Sequence, residues 1–266
     1  MADNQPTTPV PAATVLMLRH SAGGLEVFMV VRHHQIDFAS GALVFPGGKA
    51  DPADFDPKLR EYLDGASEDD KMCAIQVASI RESFEECGIL LARPAGAIEL
   101  LGGERLAELE PYRQRLNQGE LTILEFVTRE NLRLACDTLT HFAHWITPPM
   151  VPKRFDTHFF LALAPDDQVA MHDGHESVDS VWIRPAEVLA DAESGKRTVI
   201  FPTLRNIEKL GRHATPEAAI TAASETSPPV TVLPWTEHRH DGTYLCIPPD
   251  AGYESAEWKM PDREPE

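Results

Sequence analysis

The sequence predicts a mixed α/β fold, a β-sheet of mixed strand direction flanked by helices. Three observations carry that expectation. Apolar, β-branched-rich runs recur at residues 14–20, 26–33, 138–147, 156–164 and 177–184, as strands require. Helical periodicity occupies residues 67–87 and 104–134 and the segments after residue 184. Strands and helices alternate without the regular strand, helix, strand rhythm of a purely parallel sheet.

In chain order, residues 1–12 are rich in Pro and Thr and read as a flexible lead-in. "TVLMLRH" and "EVFMVVRH" flank "SAGG" as the arms of a hairpin. "FASGALVFPGGKADPADFD" then turns sharply out of a strand over Phe45 to Gly48. "PKLREYLDG" predicts a short helix with Asp56 as its N-cap, Pro57 at the first position and Gly65 closing it. A longer helix is expected from near Ser67 to Gly88, with Asp70 in the place of a capping-box acid. At 100° per residue, Cys73, Val77, Ile80, Phe84 and Cys87 share one side of it, and Glu82, Glu85 and Glu86 lie roughly opposite. Residues 94–134 form a helical segment, and "PPMVPKRF" separates the strands that follow. "PAEVLADAESG" and "PTLRNIEKLG" are each opened by Pro and closed by Gly. These elements make a main domain over 13–211. Residues 212–266, rich in Ala, Thr and Pro, form a C-terminal extension docked on it, with "YLCIPP" as a last strand.

The 266 residues, 42% hydrophobic and 25% charged, are enough for a substantial core. A formal net charge of −18 argues against a nucleic-acid partner, because that binding relies on Lys and Arg displacing phosphate counterions. A phosphate-bearing small molecule then requires cations between the two negative partners. Four widely spaced cysteines contain no C-x-x-C pair and suggest neither a zinc ribbon nor a disulfide scaffold. The N-terminal apolar run has no basic residues before it and is too short to span a membrane. The terminal "REPE" is not a peroxisomal tripeptide. A cytoplasmic protein without a membrane partner is the expectation.

Within "RESFEECGIL", residues 81–90, three glutamates crowd one and a half helical turns. Such a cluster is either a solvated face or a cation site. Positions i, i+3 and i+4 are neighbours on a helix, so the three carboxylates can converge. An all-oxygen set suits Mg²⁺ or Mn²⁺ better than zinc, which favours His or Cys.

"RESFEECGI", together with the opening Gly48 of "FPGGKADPAD", resembles the signature box of the Nudix hydrolases. Arg81, Glu82, Glu85, Glu86, Gly88 and Ile89 match its second half. Asp54 stands in place of the first glutamate and Ser83 in place of an apolar residue. Residues 55–80 separate the halves, where the family pattern has only seven positions. A box split in this way, with "FASGALVFPGG", "HWITPPMVPKRFDTHFFLAL" and "FPTLRNIEKLG", is similar to a subgroup of long Nudix proteins that includes peroxisomal coenzyme A diphosphatases. The resemblance implies an α/β/α sandwich around a mixed sheet and hydrolysis of a diphosphate linkage in a nucleoside-diphosphate derivative. It makes Glu82, Glu85 and Glu86 the ligands of Mg²⁺ or Mn²⁺ with the carbonyl of Gly47, and Arg81 a structural partner that orients a glutamate. Coenzyme A or an acyl-coenzyme A is the substrate implied by the subgroup. A dinucleotide, ADP-ribose or a nucleotide sugar is the alternative within the class, and a non-catalytic nucleotide-sensing module is the alternative outside it.

Other candidates lie beyond the box. Glu176, on a loop before a strand, fits a general base or a surface acid. Lys153 and Arg154 in "PKRFDTHFF" reach a phosphate, or Arg154 pairs with Asp156 at a strand entry. Arg32, with His33 and His34, ends a strand where it can approach a diphosphate. "HRH" at 238–240 is a weaker metal candidate. The acidic insertion is either a solvated elaboration or a lid or specificity wall beside the site.

Overall fold

The computed structural model describes residues 7–32, 41–168, 170 and 177–260. Strands β1 (Val10–Ser21) and β2 (Gly24–Arg32) form the expected hairpin, with Leu18 opposite Val27. The strand begins at Val10, so residues 10–12 are held by sheet pairing and are not a loose lead-in. Two short strands follow: β3 (Leu43–Val44) pairs with β2, and β4 (Gly47–Lys49) pairs with β1.

The inserted segment carries short elements of its own. Two 3-10 turns, Pro52–Phe55 and Pro57–Tyr62, lead into β5 (Leu63–Asp64) and then α1 (Asp70–Cys87). Asp56 caps the second turn by accepting from the Lys58 amide at 2.9 Å. The turn stops at Tyr62 because the next two residues are committed to strand pairing. Leu59 and Leu63 are buried in the core, and residues 70–80 are the first three turns of α1 itself. The insertion is therefore anchored in the core by Leu59 and Leu63 while Lys58, Arg60, Glu61 and Glu68 stay exposed. The N-cap of α1 is Asp69, which accepts from Met72 N at 2.8 Å, while Ser67 is held outside the helix by its amide bond to Gln76 Oε1.

The segment expected to be helical resolves into β6 (Ala92–Pro94), α2 (Gly103–Asn117), α3 (Ile123–Glu130) and β7 (Leu132–Ala135). A full capping box between Thr122 and Glu125 starts α3. Strands β5, β7 and β6 make a small sheet in which Leu63 pairs in parallel with Leu134. Three longer strands follow, β8 (Thr140–Ile146), β9 (Phe155–Leu163) and β10 (Ser177–Ile183), then α4 (Pro185–Glu193) and α5 (Phe201–Leu210). The C-terminal extension contributes a helix the sequence reading did not anticipate, α6 (Pro216–Glu225). It also supplies β11 (Thr231–Val232), which joins the main sheet beside β8, and a separate sheet of β12 (Trp235–Arg239), β13 (Gly242–Cys246) and β14 (Glu257–Lys259).

The main sheet runs β10-β2-β1-β9-β8-β11, parallel at β1/β9 and β8/β11 and antiparallel elsewhere along that path. It is the mixed sheet the sequence predicts. Alternation along each strand sends side chains to two cores. Ala13, Val15 and Met17 of β1 and Phe160 of β9 meet α1, α2 and α3, whereas Leu16, Leu18 and Leu161 meet α4, α5 and α6. Helices thus cover both faces, giving the α/β/α sandwich. The first core stacks Phe84 of α1 on Phe126 of α3 at 5.7 Å. Each of these fully buried rings contributes about 1.5–3 kcal/mol from burial. That packing fixes α1 against the sheet edge carrying β4.

Candidate active site

The site forms where β4 meets the C-terminal half of α1. Pairing of Ala13 with Gly48 and Thr14 with Gly47 presses the glycine pair against the helix. A Cβ on Gly47 would stand 2.3 Å from the Ala13 carbonyl oxygen, and one on Gly48 would stand 2.5 Å from Glu82 Oε2. Glycine at both positions allows this closeness. The Gly47 amide donates to Glu86 Oε2 at 2.8 Å.

Arg81 is the hub. Its Nε donates to Asp54 Oδ1 at 3.0 Å and its Nη2 to Asp54 Oδ2 at 3.0 Å and to the Lys49 carbonyl at 2.9 Å. Its Nη1 lies 2.9 Å from Glu82 Oε1 and 3.1 Å from Glu85 Oε2. These contacts set its guanidinium beside two of the three glutamates. Asp54 is 2% exposed and also accepts from the Asp51 amide at 2.7 Å, so it ties the loop down as the short box acid. Arg113 of α2 was not anticipated. Its Nε donates to the Glu85 carbonyl at 2.8 Å and its Nη2 to the Glu86 carbonyl at 2.9 Å, satisfying orphan carbonyls at the end of α1. Nothing in the surrounding polar helix sequence marks it.

All three glutamates are buried, at 6–9% exposure. The solvated-face alternative is overturned: every residue from Cys73 to Cys87 is buried. Burial pushes Glu82 up to about 7, against the pull of Arg81 and with the push of Glu85. It likewise raises Asp54 despite the Arg81 contacts. Burial opposes the charge on Arg81, but the Asp54 hydrogen bond and the neighbouring acids outweigh it and hold its pKa above the ordinary value. Three buried carboxylates touch one buried guanidinium and Glu86 is buried beside them on α1, so acids outnumber the base. A hard divalent cation with oxygen ligands fits that donor set.

These acids open onto a cleft of about 1090 Å³. Its wall is apolar where Leu116, Leu121 and Ile123 of the α2–α3 region and Trp145 and Phe159 of the sheet face it, and cationic where Arg32 and Lys153 reach it. Arg154 does not line the cleft. Its Nε donates to the Thr147 carbonyl and its Nη1 to the Thr7 carbonyl, so the expected phosphate contact gives way to a backbone clasp. Nor does it pair with Asp156, which is held by Lys71 at 2.7 Å and by His144. Glu176, His33 and His34 lie outside the described residues. His238 in β12 and His240 just after it are exposed, with His238 bonded to Thr243 Oγ1. All four cysteines are buried and free, and no helix among the described residues is long and apolar enough to cross a membrane.

The chain is similar to several known proteins. Residues 64–210 match the family model described as the NUDT19 Nudix domain. A putative Nudix hydrolase 7 of Caenorhabditis elegans is 25% identical over 70% of this chain and 56% of its own length. The acyl-coenzyme A diphosphatase NUDT19 of Xenopus laevis is 23% identical over 72% of this chain and 61% of its own. The chain thus spans little more than half the length of these relatives. The crystal structure of a Nudix hydrolase from Alicyclobacillus acidocaldarius superposes with a TM-score of 0.66 at 28% identity, covering 81% of this chain and 96% of that one. The matched span contains Arg81, the three glutamates and Arg113, and with the fold it establishes that this chain belongs to the Nudix family, in its NUDT19-type branch.

Proposed function

We propose that this protein hydrolyses the diphosphate linkage of a nucleoside-diphosphate derivative, using Mg²⁺ or Mn²⁺ held by Glu82, Glu85 and Glu86 with the carbonyl of Gly47. The observation that carries the reading is the surplus of buried carboxylate at the floor of a cleft that also presents Arg32 and Lys153. When bound, the metal supplies charge neutralisation for the diphosphate and lowers the pKa of a coordinated water. The protein's own part is positional. Arg81 and the Gly47 amide set the glutamates, Arg113 fixes the end of the helix that bears them, and Arg32 and Lys153 offer donors to phosphate oxygens. Glu176 is the proposed general base, taking a proton from the attacking water. Water adds to one phosphorus, the anhydride bond breaks, and two phosphomonoesters leave.

Coenzyme A or an acyl-coenzyme A is the proposed substrate. The acyl-coenzyme A diphosphatase activity of the frog relative supports it, as does an apolar wall beside the acids that suits a thioester tail. A product screen by mass spectrometry with Mg²⁺ or Mn²⁺, across coenzyme A, acyl-coenzyme A, NADH, ADP-ribose and nucleotide sugars, tests the reading. Glu85→Gln should lower turnover at least about 10²-fold, since even outer partners of a metal ligand cost 10- to 100-fold. Glu176→Gln with near-normal turnover would remove it as the base. Cleavage of ADP-ribose or a dinucleotide in preference would reassign the substrate, and absence of cleavage with retained ligand binding would favour a sensing module.

A further inference from the structure

A second group of ligating side chains lies on the other face of β8 and β9. Cross-strand register places His144 opposite His158, with Asp156 two residues before His158 on the same face. Trp145 and Thr157, the intervening positions, line the cleft instead. The two imidazoles stack with centroids 4.0 Å apart, and one ligand atom from each of the three residues falls within 4.8 Å of the others.

The remote atom of every member is already held. His144 Nδ1 meets Thr231 Oγ1 of β11 at 2.8 Å, His158 Nδ1 meets His141 Nε2 at 3.1 Å, and Asp156 Oδ2 accepts from Lys71 Nζ of α1 at 2.7 Å. Each contact turns the opposite atom inward, so that His144 Nε2, Asp156 Oδ1 and His158 Nε2 face one another. Metal sites use such outer contacts to fix imidazole tautomer and carboxylate orientation. The ligands stand on paired strands, which hold their spacing, and the exposed Lys71 marks the route to solvent.

From this convergence the geometry points to a site for a borderline divalent transition metal, Zn²⁺ by the chemistry of its donors, bound by His144, Asp156 and His158. Two imidazoles and a carboxylate suit Zn²⁺, and a water completes four-coordination. The all-oxygen acids on α1 belong to a different class of cation. Lys71 precedes Glu82 by roughly 16 Å of helix rise, so the two sites are separate. Metal here would brace β8 to β9 behind the wall of the cleft.

The test is equilibrium dialysis of the full chain against Zn²⁺ with excess Mg²⁺ present to occupy the acid site. One Zn²⁺ per chain should be retained. His158→Asn and His144→Asn should each weaken it at least about 100-fold, and Thr231→Val about 10- to 100-fold, while Glu85→Gln leaves it unchanged. Zinc-edge X-ray absorption on the unaltered protein reads the same claim without any variant, and should show two imidazoles in the first coordination sphere. An all-oxygen sphere, no stoichiometric Zn²⁺ in the presence of Mg²⁺, or retention unaffected by both His variants would overturn the site and leave His144 and Asp156 as an ordinary hydrogen-bonded pair.

Discussion

Asp54 and Arg81, 27 positions apart in the chain, meet as a buried fork in which two guanidinium nitrogens face two carboxylate oxygens. Removing one partner of a buried pair strands the other charge at a cost of about 3–5 kcal/mol. Glu82 and Glu85 remain beside Arg81. Asp54→Ala should therefore destabilise the fold by about 3 kcal/mol, the low end, in urea unfolding. It should also lower turnover, because Arg81 would re-aim toward the remaining acids.

Gly48→Ala separates site geometry from stability. The new methyl would overlap the Glu82 carboxylate, the free end of a side chain that can swing away. The expected outcome is a shift of less than about 1 kcal/mol in unfolding with a loss of about 10-fold or more in metal affinity, read by calorimetric titration with Mn²⁺.

Arg113 holds two carbonyls at once, and a lysine cannot reproduce that fork. Arg113→Lys should lower kcat about 10-fold with KM little changed, in a substrate titration, because it loosens the turn that carries Glu85 and Glu86. Hydrogen bonds to charged groups contribute about 1.5–3 kcal/mol. Arg113→Ala should lose stability within that range.

Lys209 donates to the Phe142 carbonyl at 3.0 Å between the Phe142 and Tyr253 rings, and burial, with Arg212 nearby, lowers its pKa from 10.5 to about 8. Between pH 8 and 10.5 the unfolded chain binds a proton that the folded chain has released, so this residue's contribution to stability rises with pH across that window. Below pH 8 both states are protonated and the penalty is present in full. Lys209→Met should flatten this rise, measured as unfolding free energy against pH for both proteins.

Patterns that act over a few residues were legible in the sequence. The hairpin around "SAGG", the end of α1 at Gly88 and the clustering of Glu82, Glu85 and Glu86 all follow from local spacing. Burial of the acid face was not, because it depends on β4 and α2 arriving from elsewhere in the chain. Arg113 is equally silent, since its partners are backbone carbonyls that no side-chain pattern announces. The pairing of His144 with His158 required the register of β8 on β9, which "WITPP" and "RFDT" alone do not specify. Helix α6 was missed because an Ala- and Thr-rich tail carries little amphipathic contrast; its packing on the sheet decides the matter.

The split between the loop acid and the glutamate helix has a kinetic consequence. From the 3-10 turn that holds Asp54, the chain makes a second 3-10 turn and commits β5 to a strand 71 positions further on, Leu63 to Leu134, before it reaches Arg81. Contacts this distant in sequence form slowly, after their loop-closure entropy has been overcome. Helix α1 can wind within about a microsecond, whereas its Arg81 acquires the Asp54 fork only once the intervening segment has closed. During refolding, helical ellipticity should return well ahead of metal affinity, and the last step of the fold is the one that completes the site.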